Sequence, residues 1–475
     1  MNISRISWIQ SIVIGLMASG CLAATNPAPV SAASTAAATN KMEWFDHAKL
    51  GIFIHWGIYG VNGIDESWSY FNNYLPADQY FAQLKGFTAD KYDPKAWAAL
   101  IKQSGARYAV ITSKHHDGVA LWDTKANDLS VPKKTPAGRD VLTPFVDAIR
   151  AEGLKVGIYY SLMDWAHPDF PVKSREFSKN RAKWDYRPEQ DPARWNRFMD
   201  FNFAQYKELS DKYRPDMWYF DGHWWFSAEE WRAQATADLI HAGNPNAIIN
   251  DRLPGQGDYM TPEQGIPLTN PHKRWETSMT INASWGYQPT DRNYKTPYEV
   301  ICLFADCLHM GGNMLLDIGP KPDGTIAEQQ VKVLQALGRW TSKHEKAIYD
   351  TRAGIDLAYY NGPSTLGSSD YLGKTKGGDI LYLFVPNKPN GAIRIKGLKN
   401  RIMRTWVVGH GAKLNWRQDT DLAHPGIIYL EVPDAVLDQD VTVIAVLLDG
   451  PINLQPLEYS TEAPAIAPAG ATTGA

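Results

Sequence analysis

The feature that most constrains the fold is an alternation of short apolar runs and helical patterns between residues 50 and 319. The runs are LGIFIHWG (50–57), YAVITSKHHDG (108–118), LKVGIYYSL (154–162), DMWYFDG (216–222), AIIND (247–251), WETSMTI (275–281) and NMLLDIG (313–319). Helical periodicity separates several of them, at residues 93–106, 141–153 and 228–243. Continuous apolarity is typical of parallel strands that are covered on both faces. The pattern predicts an α/β fold, a (β/α)8-like TIM barrel, with an open doubly wound sheet as the alternative.

Polar side chains stand where these runs end. They are His55, His115, His116, Asp117, Asp164, Asp221 and Asp251. In a TIM barrel the carboxyl ends of the strands carry the active site, so the site is expected on that face. The adjacent pair His115 and His116 would point to opposite faces of a regular strand, and no HExxH helix or spaced carboxylate cluster accompanies it. The sequence therefore predicts no metal site.

Charge and motifs narrow the function classes. The formal charge is -3, from 48 basic and 51 acidic residues, so no basic excess is available for a phosphate backbone, and we expect no nucleic acid partner. No glycine-rich phosphate loop follows the first strand and no GxSxG elbow is present. We therefore expect no cofactor and no serine-esterase chemistry. The 18 Trp and 23 Tyr suit stacking on sugar rings as well as core packing.

The first 35 residues are interpreted as a signal peptide and linker. Arg5 precedes an apolar run at residues 12–22 that is too short to span a bilayer, and mostly small residues follow it. We expect an exported protein, periplasmic or secreted. The stretch ASGC resembles a lipoprotein cleavage box, so a lipid anchor through Cys21 stays open. Nothing later in the chain predicts a transmembrane segment.

The remaining domain boundaries follow from composition and periodicity. Residues 36–350 are assigned to the barrel and end in a helical pattern at 328–349. Residues 351–452 are predicted to form a small C-terminal antiparallel β-sandwich, from strand patterns at 379–385, 392–397, 404–409, 427–432 and 441–448. Residues 453–475, rich in Ala, Pro, Thr and Gly, are predicted to be a disordered tail. The oligomeric state stays unknown.

Two cysteines, Cys302 and Cys307, lie in one helical pattern. Five residues apart on a helix, their Cα atoms are beyond the roughly 7 Å limit for a disulfide. We predict that they are buried free thiols.

Carboxylates, histidines and rings at strand ends suit a cofactor-free sugar-cleaving site. Such an enzyme needs one carboxylate at the anomeric carbon and a second carboxyl group at the leaving oxygen. Asp221 suits the first role because it ends a strand, Gly222 lets the backbone turn away, and neighbouring rings can stack on substrate. The alternative for an isolated Asp-Gly pair is a cap on the next helix.

Seven long blocks, in order, resemble the α-L-fucosidases of glycoside hydrolase family 29. They are KLGIFIHWGIYG, ARYAVITSKHHDGVALWDT, GRDVLTPFVDAIRAEGLKVGIYYSLMDW, PDMWYFDG, IINDR, WETSMTINASWGY and GGNMLLDIGPKPDGTI. The resemblance runs from about Trp44 to Tyr349. It implies an exo-acting, retaining enzyme on an imperfect barrel, with a fucosylated glycan as substrate. It also implies that Asp221 is the nucleophile.

The resemblance leaves the second carboxyl group open, because the acid/base residue of this family lies in a variable loop. Glu263, in GDYMTPEQGIP, is the first candidate, since similar members carry their acid there. Glu276, in RWETS, is the second candidate, and its alternative role is to hold a neighbouring Arg or a backbone amide. Glu66, in DESWSYF, resembles a sugar-contacting Glu that the family places directly before Trp, but here Ser67 intervenes.

For substrate contacts the resemblance points to His55, His115, His116, Trp68, Tyr159 or Tyr160, Tyr219 and Arg252. Histidines and an arginine can bind the hydroxyls of fucose while rings cover its methyl group. Two alternative functions stay open: an α-L-glycosidase on a related sugar such as L-galactose, and a non-catalytic carbohydrate-binding relative. The second is disfavoured because Asp221 and both candidate acids are intact.

Overall fold

The computed structural model describes residues 41–176, 181–369, 378–419 and 426–457. The strands are β1 Leu50–Ile54, β2 Tyr108–Lys114, β3 Lys155–Ser161, β4 Val172–Glu176, β5 Arg181–Trp184, β6 Met217–Asp221, β7 Ile248–Ile249, β8 Glu276–Thr280, β9 Asn313–Ile318, β10 Arg352–Ala353, β11 Ser364–Ser369, β12 Gly378–Val385, β13 Ile393–Ile395, β14 Ile402–Val407, β15 Asn415–Asp419, β16 Ile427–Glu431 and β17 Thr442–Leu448. The helices are α1 Glu43–Ala48, α2 Trp68–Phe71, α3 Ala77–Ala82, α4 Pro94–Gln103, α5 Val131–Lys134, α6 Leu142–Ala151, α7 Pro192–Tyr213, α8 Ala233–Gly243, α9 Pro297–His309, α10 Glu328–Lys343 and α11 Glu345–Ile348. The predicted signal segment, with Cys21, lies outside the described residues.

A curled parallel sheet of seven strands forms the centre of the barrel. The strand order is β7-β6-β3-β2-β1-β9-β8, and every neighbouring pair is parallel. Each strand falls within one of the seven apolar runs of the sequence. All residues of β1, β2, β6, β8 and β9 are buried, as expected for strands covered on both faces. The predicted fold class is confirmed.

The edge strands β7 and β8 are joined by an irregular segment at residues 258–264 rather than by a full eighth strand. The segment bridges to both edges in parallel at three residue pairs: Asn250 with Tyr259, Met260 with Trp275, and Glu263 with Ser278. Backbone hydrogen bonds run from Asp251 to Tyr259 (3.0 Å) and from Glu276 to Met260 (2.9 Å). This closing segment therefore completes the wall of the barrel and carries one of the two candidate acids.

Sequence signals at the helix ends account for where the outer helices begin. The side chain of Asp93 accepts hydrogen bonds from the first-turn amides of α4, and Pro94 occupies the first helical position. Thr296 and Glu299 form a reciprocal capping box at the start of α9. Along α9, Cys307 is buried and Cys302 is half-buried, and both are free thiols, so the prediction is confirmed except for the full burial of Cys302.

Two antiparallel sheets follow the barrel. One has the order β10-β11-β12-β17-β14 and the other β13-β16-β15. The sequence predicted five of these strands and missed β10, β11 and β15. It also missed the antiparallel strand pair β4 and β5 inside the barrel domain. These strands lack a run of apolar residues: β11 reads STLGSS and β15 reads NWRQD, and most of β15 is exposed.

The five-stranded sheet packs on the barrel helix α10. Trp340 of α10 is buried, donates a hydrogen bond from its Nε1 to the carbonyl of Val441 (2.8 Å), and packs against Phe384 of β12 with 6.0 Å between ring centroids. The opposite face of the sheet contributes to a separate hydrophobic cluster with β13 and β16. The apolar cluster of the barrel thus continues into this sheet.

The first residues of the predicted tail pair with the C-terminal domain. The amide of Lys399 donates to the carbonyl of Asn453 (2.9 Å) and the amide of Gln455 to that of Gly397 (2.8 Å), so these residues pair with the C-terminal domain. The rest of the predicted tail, residues 458–475, lies outside the described residues. In the part of the chain that the structure describes, no helix has the length and apolarity needed to cross a bilayer.

Candidate active site

A cavity of about 110 Å³ lies at the carboxyl ends of the barrel strands. Its lining residues are Phe53, His55, Glu66, Trp68, His115, His116, Tyr159, Tyr219, Asp221, Trp224, Arg252, Glu263 and Trp285. Two larger clefts, of about 600 and 620 Å³, contain Lys49 and Trp406 respectively and none of the predicted site residues. The small cavity is the candidate active site because it alone among these three gathers the carboxylates, histidines and aromatic rings that the sequence analysis predicted for the site.

Asp221 ends β6 and is the ionised carboxylate of the cavity. Gly222 follows it with a φ of 80°, a left-handed conformation that suits glycine and turns the backbone away. Arg252 donates to Asp221 Oδ1 (2.7 Å) and the Tyr159 hydroxyl donates to Oδ2 (2.9 Å). Burial of Asp221 disfavours its charged form, but the charge and hydrogen bonds of these partners outweigh it and lower its pKa to about 2. Asp221 is therefore an anion at neutral pH.

Glu263 shares a guanidinium with Asp221. The second terminal nitrogen of Arg252 contacts Glu263 Oε1, while the Arg252 Nε donates to Thr261 Oγ1 (3.1 Å). The Glu263 side chain is 43% exposed, whereas the Asp221 side chain is 12% exposed. One carboxyl group thus lies in the floor of the cavity and the other at its mouth.

Glu276 does not line the cavity. Its side chain is fully buried in the barrel and accepts a hydrogen bond from the Tyr108 hydroxyl, whereas the alternative role considered above was to hold an Arg or a backbone amide. Burial raises the pKa of Glu276 to about 8, so it is mostly neutral at pH 7. The geometry gives Glu276 no access to a ligand in the cavity.

His55 is held by a residue that the sequence analysis missed. His55 Nδ1 lies 2.6 Å from Asp317 Oδ1, and both residues are buried. Burial lowers the pKa of His55 to about 3, so the ring is neutral. Because Nδ1 is engaged, Nε2 is the ring nitrogen left for a ligand. The available signal for Asp317 was a single acidic residue inside the apolar run NMLLDIG.

His115 and His116 face the same cavity, contrary to our expectation that they point to opposite faces. β2 ends at Lys114, and a turn bond from the Gly118 amide to the His115 carbonyl (3.1 Å) shows that the chain has left the extended conformation. Their ring centroids are 4.3 Å apart. His115 Nδ1 contacts the Ser67 hydroxyl. Burial lowers both pKa values, that of His116 to about 4.

Glu66 and Trp68 both line the cavity despite the intervening Ser67. Glu66 has a φ of 36°, so the chain turns sharply before α2 begins. Its Oε1 accepts a hydrogen bond from the Gly286 amide (2.7 Å), and burial raises its pKa to about 7. Trp285, which we did not predict, lies against His55 with 5.1 Å between ring centroids. The sequence feature that could have identified Trp285 is an aromatic residue shortly after a predicted strand, and the same is true of Trp224.

Of the two candidate tyrosines, only Tyr159 reaches the cavity. Tyr160 points to the helix side of β3 because successive strand residues face opposite ways, and its hydroxyl donates to Gln205 Oε1 (2.7 Å). The inclusion of Tyr160 is therefore corrected. Tyr219, two residues before Asp221 on β6, lines the cavity with it.

Over the described ranges, no group of three or more His, Cys, Asp or Glu side chains is placed to hold a metal ion.

Comparisons with known proteins agree with this arrangement. A family model described as Alpha-L-fucosidase matches residues 18–346. Plasma alpha-L-fucosidase of Homo sapiens is 29% identical over 432 residues, which cover 83% of this chain and 86% of the human protein. The structure of alpha-L-fucosidase isoenzyme 1 from Paenibacillus thiaminolyticus is similar, with 34% identity, a TM-score of 0.75 and coverage of 87% of this chain and 100% of that one. A GH29 alpha-L-fucosidase from Bacteroides thetaiotaomicron, trapped as a covalent intermediate with 2-fluoro-fucosyl fluoride, has 26% identity, a TM-score of 0.74 and coverage of 89% and 98%.

Proposed function

Because this chain belongs to the α-L-fucosidase family, glycoside hydrolase family 29, we propose that Asp221 is its nucleophile and Glu263 its general acid and base. The enzyme is a retaining α-L-fucosidase, which releases L-fucose through a covalent glycosyl-enzyme. The observation that carries the residue assignment is the guanidinium of Arg252, which contacts both carboxyl groups in one cavity. Glu276 has no such contact with the cavity.

In the first step the Asp221 carboxylate attacks the anomeric carbon of the bound fucoside. The bond from that carbon to the glycosidic oxygen breaks, and Glu263 gives its proton to the departing oxygen. An ester joins Asp221 to fucose, and Glu263 is left as a carboxylate. The low pKa of Asp221 keeps it ionised and ready to attack across the neutral pH range.

In the second step a water molecule attacks the same carbon from the mouth of the cavity. Glu263 accepts the proton of that water, the ester bond breaks, and Asp221 returns to the carboxylate that Arg252 and Tyr159 stabilise. Two inversions leave fucose in the α configuration. Glu263 regains its proton and is ready for the next cycle.

The cavity is sized for one sugar ring. Its volume of about 110 Å³ is well below the roughly 300–1,000 Å³ of sites for larger ligands. We infer that the neutral imidazoles of His55, His115 and His116 bind fucose hydroxyls and that the rings of Tyr219 and Trp285 cover apolar parts of the sugar. A terminal residue fits such a site, and an internal one does not.

Hydrolysis of an aryl α-L-fucoside, followed by early proton spectra, tests the proposal. We expect α-fucose to appear first and an aryl α-L-galactoside to be cleaved far more slowly. β-Fucose as the first product would refute a nucleophilic Asp221. Equal rates on the galactoside would favour the alternative sugar.

For the N-terminus we propose export, to the periplasm or the medium, directed by residues 1–35. The support is Arg5 followed by the short apolar run at residues 12–22. Mass spectrometry of the mature protein, with a Cys21→Ser variant, separates the two outcomes: an N-terminal lipidated Cys21, or cleavage without lipid. An uncleaved N-terminus would contradict both.

A further inference from the structure

We propose that Trp224 is the binding platform for the sugar ring to which fucose is attached, so that the enzyme prefers fucosides of a pyranose over fucosides of a small alcohol. The proposal rests on the proposed roles of Asp221 and Glu263. It adds a second binding site, for the leaving group, at the mouth of the fucose cavity, where Trp224 is one of the lining residues.

Exposure separates the floor of the cavity from its mouth. The Glu263 side chain is 43% exposed, against 6% for the His55 side chain and 12% for that of Asp221, and the whole residue Trp224 is 49% exposed. Glu263 protonates the leaving oxygen in the proposed mechanism, so the leaving group must emerge at this mouth. A cavity of about 110 Å³ that holds fucose has no room for a second ring. The second ring therefore lies against the side chains of the mouth.

Trp224 has the position and support that a stacking platform needs. Its ring centroid is 6.2 Å from that of Trp68 and 6.1 Å from that of His116, both of which line the cavity. The preceding residue is fixed by a hydrogen bond from Trp231 Nε1 to the His223 carbonyl (3.1 Å). The half-exposed indole of Trp224, next to a polar cavity, is an apolar surface that a ligand can cover. The C–H face of a pyranose is such a ligand.

The test compares two substrates that share fucose and differ in the leaving group. α-L-Fucosyl fluoride has no leaving-group ring, and the second substrate is a disaccharide chosen from a panel of fucosyl-galactose and fucosyl-N-acetylglucosamine linkages that the wild-type protein cleaves. In Trp224→Ala the ratio of kcat/KM for the disaccharide to kcat/KM for the fluoride should fall about tenfold, the size of one aromatic contact. Trp224→Phe should recover most of the ratio, because it keeps a flat ring.

Trp416→Ala is the matched control, since Trp416 is 38% exposed but lies in β15 of the C-terminal domain. It should leave the ratio at the wild-type value. An equal loss on both substrates in Trp224→Ala would overturn the platform, as would a wild-type protein that cleaves the fluoride and no disaccharide of the panel. A wild-type protein that cleaves neither substrate would instead overturn the proposed function.

Discussion

At the level of single residues, Arg252 is the cation that contacts both carboxyl groups of the site. Its two terminal nitrogens contact Asp221 and Glu263, and its Nε is held by Thr261, so the guanidinium cannot rotate without losing all three partners. The fork geometry of arginine is suited to this task, and a lysine could contact only one carboxylate well. The two proposed catalytic groups are thereby tied to one rigid element.

Replacement of Asp221 by Asn should lower kcat at least about a thousandfold, because the amide cannot form the glycosyl ester. The shape of the side chain is kept, so the affinity for L-fucose should change little, whereas the melting temperature should fall because buried Arg252 loses a charged partner. Asp216→Asn, at the other end of the same strand run, is the control, since Asp216 pairs with Lys155 outside the cavity. Turnover near the wild-type rate in Asp221→Asn would rule out its role as nucleophile.

Glu263→Ala should slow the hydrolysis of natural glycans much more than that of aryl fucosides, because an aryl group can depart without a proton. Added azide needs no base, so it should restore turnover of the aryl fucoside and yield a fucosyl azide. Glu276→Ala should lose activity or stability without rescue, since Glu276 is buried against Tyr108. Azide rescue of Glu276→Ala and not of Glu263→Ala would exchange the two assignments and leave Asp221 in place.

At the level of elements, the buried carboxyl group of Glu276 on strand β8 makes the free energy of unfolding depend on pH. Burial raises the pKa of Glu276 to about 8 in the folded protein, from its ordinary value of 4.5. Between these pH values the folded protein holds a proton that the unfolded chain has lost. The free energy of unfolding should therefore fall as pH rises through this window, by about 1.4 kcal/mol per pH unit from this group.

Glu276→Gln removes that proton linkage while it keeps an acceptor for Tyr108. Relative to the wild-type protein, the variant should gain stability steadily between pH 5 and pH 8, measured by urea unfolding at each pH. Glu431→Gln, an exposed glutamate of β16, should follow the wild-type curve. Parallel curves for wild type and Glu276→Gln would show that the buried carboxyl group does not titrate in this range.

The sequence predicted elements where apolarity was continuous and missed them where pairing alone defines the strand. All seven central strands were recognised, whereas β11 and β15 are small or polar and become strands only by hydrogen bonding to β12 and β16. The site followed the same rule. Asp221 was visible as a charge at a strand end, but the pairing of Asp317 with His55 joins residues 262 positions apart and leaves no local pattern.

At the scale of the whole molecule, the barrel and the five-stranded sheet share apolar packing through α10. Trp340→Ala should destabilise the protein by about 3–5 kcal/mol, because it removes a buried indole and its bond to Val441. Calorimetry should still show one transition, at a lower temperature, with fucosidase activity per folded molecule retained. The exposed Trp416→Ala should unfold like the wild type. Two separated transitions, with only the later one shifted, would show that the sheet unfolds on its own.

The two proposed catalytic residues lie on parts of the chain that differ in their tolerance of sequence change: Asp221 on strand β6 and Glu263 on the closing segment at residues 258–264. Asp221 lies in a fully buried strand, where most substitutions disturb the core. The sequence around Asp221 can therefore change very little. Glu263 lies on an irregular stretch that pairs with the neighbouring strands through isolated bridges, and glycines and prolines flank it, as in connecting segments that tolerate added or lost residues. A lineage with this architecture can therefore acquire new leaving groups by remodelling one stretch of chain, while the reaction at the sugar carbon is inherited unchanged.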